Sequence, residues 1–75
     1  MTTLVNNQVT RVGPGTYSFD VTGAMELQTD KSGTFKTLKD GTFTGVDDDI
    51  ITLPSCNIRI INAGANEFIF NLVTL

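Results

Sequence analysis

The side chains able to do chemistry in this chain are few: the run Asp47-Asp48-Asp49, a single cysteine at position 56, the serines Ser18, Ser32 and Ser55, and the scattered carboxylates Asp20, Glu26 and Glu67. Nucleophilic catalysis by Cys56 or a serine needs a neighbouring base, and the chain has no histidine to supply the usual one. Cys56 reads instead as a small buried hydrophobe. Glu26 with Asp20 or Glu67 offers two carboxylates of the kind that glycoside hydrolysis uses, yet no spacing forces them together, and so small a domain has little room for a substrate cleft. Asp47-Asp48-Asp49 offers oxygen atoms suited to Ca²⁺. Consecutive residues point in different directions, however, and the alternating ligands and turn glycine of an EF-hand loop are missing. The run reads as a solvated acidic loop. Taken together, these residues describe a protein that is not an enzyme and holds no cofactor.

Composition narrows the partners. A net charge of −3 lacks the clustered basic surface that nucleic-acid backbones require. The opening residues MTTLVNNQVT have neither a basic start nor a long apolar run, so no signal peptide is expected, and no stretch is long enough to cross a bilayer as a helix. An unpaired cysteine fits a reducing cytoplasm as the place of assembly. With 75 residues, one cysteine and no histidine, neither a disulfide nor the usual zinc site can reinforce a small core. Association is the remaining route.

The elements that would position these residues are strands. Thr16 to Thr22 alternates Tyr17, Phe19 and Val21 with Ser18, Asp20 and Thr22, the period-two signature of one buried face. Met25 and Leu27 keep the same parity beyond Gly23, in a bent continuation or a new strand. Cys56 to Leu75 reads as a closing hairpin with Asn62-Ala63-Gly64-Ala65-Asn66 as its turn, a register that would pair Ile60 with Phe68, Ile58 with Phe70 and Cys56 with Leu72. Asp30-Lys31-Ser32-Gly33 has the chemistry of a type I turn. Asp40-Gly41 is the strongest short hairpin signal, with a two-residue turn or a three-residue loop both open. Ile50 to Leu53, a nearly continuous apolar run, reads as a strand buried on both sides. Residues 1–12 form an extended arm or an edge strand broken off by Gly13-Pro14-Gly15.

The expectation is a single all-β domain over residues 1–75: seven or eight short strands in an antiparallel sandwich or small barrel, jelly-roll-like. Apolar residues on both faces of the last strand predict core on one side and a subunit interface on the other. The interface set is Val5, Val9, Arg59, Ile61, Glu67, Ile69, Val73 and Leu75, with Arg59 and Glu67 placed diagonally as a surface pair or part of an oligomer seam. Lys31, Lys36 and Lys39 fall in one hairpin region, and together with the acidic run they suit contacts between unlike surfaces.

The segments GTYSFDVTG, KDGTF and IITLPSCNIRIINAGANEFIFNL together resemble the small all-β structural proteins of tailed bacteriophages: capsid decoration or cement proteins and modules of fibres and baseplates. The resemblance implies a virion protein without an active site. It further implies a homo-oligomer, commonly a trimer, on the outer shell, with the major capsid protein or another virion protein as partner and residues 1–12 as a clamp. The alternative within the same resemblance is a fibre, baseplate or carbohydrate- or receptor-binding module.

Overall fold

A computed structural model describes residues 1–75, the whole chain. Eight strands run in order: β1 (Thr2–Leu4), β2 (Val9–Val12), β3 (Gly15–Val21), β4 (Met25–Thr29), β5 (Lys36–Phe43), β6 (Asp47–Leu53), β7 (Cys56–Ile61) and β8 (Phe68–Thr74). They form two antiparallel four-stranded sheets, β1-β8-β3-β6 and β2-β7-β4-β5. The pairing is nested, β4 with β5, β3 with β6, β2 with β7 and β1 with β8. The chain is thus one long hairpin, rolled over so that β8 also meets β3 and β7 also meets β4. That is the jelly-roll arrangement, an open sandwich rather than a closed barrel.

Alternation within strands builds the core. Tyr17, Phe19 and Val21 of β3 and Phe68 and Phe70 of β8 face Met25 and Leu27 of β4 and Ile58 and Ile60 of β7, all buried. Phe19 ties the two sheets together, stacked on Phe68 at 5.2 Å and edge-on to Phe43 at 5.5 Å between ring centroids. Such aromatic pairs contribute about 0.5–1.5 kcal/mol beyond the area they bury. The Tyr17 hydroxyl reaches the end of the core and donates to the Gly13 carbonyl at 2.6 Å.

The topology corrects several expectations and decides one that was open. The closing hairpin does not exist as such: β7 and β8 lie in different sheets, and Asn62 to Glu67 carries the chain from one to the other. Cys56, Ile58 and Ile60 of β7 and Phe68 and Phe70 of β8 still point inward, but they share one core between the two sheets instead of pairing along a ladder. Of the two forms expected for residues 1–12, an extended arm or an edge strand, the structure has the second. These residues supply an edge strand to each sheet, with Asn7 at φ 66° in the turn between them and Leu4 fully buried.

Asp40-Gly41 forms no hairpin either. It lies within β5, where the register against β4 jumps from Glu26↔Thr42 to Gln28↔Thr37, so that Leu38 to Gly41 bulge from the strand. Gly41 is required there by close approach, since a Cβ would sit 2.8 Å from the Leu27 carbonyl oxygen. Finally, Asp47-Asp48-Asp49 opens β6 rather than a loop, and β6 is an edge strand whose Ile50 is 64% exposed, not a strand buried on both sides.

Candidate functional site

The residues considered for catalysis are kept apart. Cys56 is buried, and desolvation, helped by the negative charge of Asp30, pushes its thiol above the ordinary range. Asp20, on β3, and Glu26, on β4, project from outer faces of opposite sheets and cannot act on one bond. The three consecutive aspartates diverge along β6. Asp47 and Asp49 pair with Val21 and Phe19 of β3, so they share the inward side of the sheet, while Asp48 pairs with Asp20 on the outer side.

The outer face of the β2-β7-β4-β5 sheet carries a chain of hydrogen bonds. Asn62 Nδ2 donates to Glu26 Oε2 at 2.6 Å and the Thr37 hydroxyl donates to Glu26 Oε1 at 3.1 Å. Gln28 Nε2 donates to Thr37 Oγ1 at 3.2 Å, and Arg59 Nε donates to Gln28 Oε1 at 2.7 Å with its guanidinium 4.2 Å above the Phe35 ring. Arg59 therefore pairs with Gln28 and Phe35 and not with Glu67, the last residue of the crossing to the other sheet. The sequence pattern could not show this, because it assumed that β7 and β8 were neighbours.

The expected interface residues divide between surfaces. Val9 lies beside Arg59 on the β2-β7 ladder, and Ile61 pairs with Glu26 on the same outer face. Ile69 of β8 pairs with Asp20 on the outer side of the other sheet, and Val73, exposed, lies at the irregularity between Leu72↔Tyr17 and Thr74↔Thr16. Val5 sits in the turn after β1, Glu67 accepts the Thr22 amide through its own carbonyl before β8, and Leu75 ends the chain almost fully exposed. Two outer faces and their margins are involved, not one continuous surface.

The outer face of β1-β8-β3-β6 mixes apolar and polar side chains. Ile50 of β6 and Asn71 of β8 flank Ser18 of β3, and Thr16 and Thr52 join their hydroxyls at 3.0 Å one row away. Val73 is 58% exposed beside them. Charge is confined to one end, where Asp20 and Asp48 are cross-strand neighbours in the row of Ile69.

A second feature was not anticipated at all. Where the edge strands β5 and β6 fail to meet, the sandwich opens into a cleft of about 500 Å³. Phe19, Leu27, Phe43 and Ile51 form its floor, and Asp40, Asp47 and Asp49 stand at its rim. The signal for Asp47 and Asp49 was present in their shared parity with Ile51 and Leu53. The bulge that supplies Asp40 had no such signal.

Comparison with family models, with curated proteins and with solved structures found no match for this chain.

Proposed function

We propose that this chain is a structural protein of a virion, a decoration protein that binds the outer shell and stabilises contacts between capsid subunits without catalysing a reaction. The observation that carries the reading is the outer face of the β1-β8-β3-β6 sheet, where Ile50 and Val73 lie near hydroxyl and amide side chains and Ile69 lies beside Asp20 at the charged end. An uncovered sheet face of this composition suits docking on a broad protein surface. Apolar side chains release water on contact, and the short polar groups exchange hydrogen bonds across the seam. The resemblance of the β-strand segments to phage structural proteins supports the same reading, as does the jelly-roll topology that viral shell domains share with other classes.

The mechanism is mass action. A domain that binds the assembled shell and not its dissociated subunits shifts the balance toward assembly in proportion to its affinity and concentration. The partner in this reading is the major capsid protein or another exposed virion protein. Peptide mass spectrometry of virions purified from cells that make the chain tests it: the reading requires the chain in fixed stoichiometry with the shell, and its absence from the particles ends the reading.

A further inference from the structure

Charge is distributed unevenly along the open side of the sandwich, with Lys39 at the boundary. At one end lies the cleft with Asp40, Asp47 and Asp49 on its rim; at the other, a hollow of about 220 Å³ is lined by Lys31, Lys36 and Lys39. Leu38 and Lys39 line both, so the β5 bulge is the wall between them. The two arginines are already engaged, Arg11 Nη2 donating to Ser55 Oγ at 2.9 Å and Arg59 to Gln28. The three lysines are the cations left open to a partner, and all three are exposed.

We propose that this side is a self-complementary interface between two copies of the chain. Because the acidic and basic hollows lie side by side on one surface, a second copy turned about a two-fold axis places its lysines over the first copy's carboxylates and receives the reciprocal contact. The lysine stems lie against Phe43 and Ile51, and the ammonium groups reach the rim. The result is a pair of copies, where the resemblance to phage proteins implies commonly three.

The edges favour side-chain contact over continuation of the sheets. In an edge strand alternate amides point away from the single neighbour, and on β6 two of these are already satisfied: Asp48 N–H donates to Asp47 Oδ1 and Ile50 N–H to Asp49 Oδ1, both at 2.8 Å. Each carboxylate keeps its other oxygen free for a cation. On β5 the bulge interrupts the ladder. An anionic polymer drawn to the lysines would meet the acidic rim beside them, whereas a second copy matches both.

With overall extents of 28 × 26 × 19 Å, one side offers roughly 500 Å² per copy, which places the pair among weak, reversible, salt-sensitive associations. The proposal does not rest on the virion reading, and it is tested on purified protein with no shell present.

Light scattering over a dilution series, at about 20 mM and about 500 mM salt, reads the outcome directly. The interface predicts a doubled mass at low salt and the single-chain mass at high salt. Lys36→Glu with Lys39→Glu, and separately Asp47→Lys with Asp49→Lys, should each give the single-chain mass at low salt, and an equimolar mixture of the two should restore the doubled mass. If the aspartate variant does not fold, the lysine variant decides, since its positions are exposed. A single-chain mass for the wild type at low salt, or an oligomer indifferent to both salt and charge reversal, overturns the proposal.

Discussion

Asp30 and Asn57 hold each other by three hydrogen bonds. Asn57 N–H donates to Asp30 Oδ1 at 2.7 Å, Asn57 Nδ2 donates to Oδ2 at 2.9 Å, and Asp30 N–H returns a bond to the Asn57 carbonyl at 3.2 Å. The pair fastens the turn after β4 to the start of β7. Both ligands to the carboxylate are donors, so the ionised form is favoured, and the Asp30 pKa lies below its ordinary value of 3.8, the Asn57 side chain being the largest cause.

A depressed folded-state pKa contributes stability that is present above the unfolded value and is lost as pH falls through the folded value. Thermal unfolding followed by circular dichroism should therefore show Tm declining below about pH 4. Asp30→Asn should lower Tm at pH 7 by a few degrees and make the acid decline shallower. An acid decline as steep in the variant as in the wild type would assign the pH dependence to other carboxylates.

Leu4 tests the placement of the first strand. Its side chain is fully buried, and β1 is paired with β8 from Thr2↔Phe70 to Leu4↔Phe68. Leu4→Ala should cost about 2–4 kcal/mol in urea unfolding, and deletion of residues 1–8 should cost more, because a free arm would leave stability untouched whereas a core strand cannot.

Gly41 tests the bulge that walls the cleft. Gly41→Ala places a methyl group against the Leu27 carbonyl oxygen and the Leu38 side chain, and should destabilise by about 1–3 kcal/mol in the same assay. A neutral result would mean that β5 can relax around the added atom.

Cys56 reports on the core through its reactivity. Buried and with its pKa raised, the thiol should react with an aromatic disulfide reagent at pH 8 only as fast as the fold opens, and should react at once in denaturant. Rapid labelling of the native protein would place the thiol at the surface.

The faces of strands were legible in the sequence to a degree that their partners were not. Tyr17, Phe19 and Val21, or Ile58 and Ile60, alternate because one side of the strand is buried, and that holds whichever strand lies alongside. In a jelly roll successive strands repeatedly change sheets, so the parity of β7 and β8 was right while their pairing was wrong. Composition misled at the edges. Asp40-Gly41 has the chemistry of a tight turn but is drawn out into a bulge by pairing on both sides of it, and Asp47 to Asp49 look like a loop until β3 supplies a ladder for them. The cleft escaped notice because it arises from two edge strands that do not meet, a relationship carried by no local pattern.

Rebinding to stripped particles tests most directly the proposal that the outer face formed by β1, β8, β3 and β6 docks the chain on a virion shell. Wild-type protein should rebind saturably, and Ile50→Asp with Val73→Asp, at exposed positions where circular dichroism should show an unchanged fold, should bind at least about ten-fold more weakly, the loss expected when charge enters an apolar contact. Rebinding of the variant as tight as that of the wild type would contradict the assignment of this face.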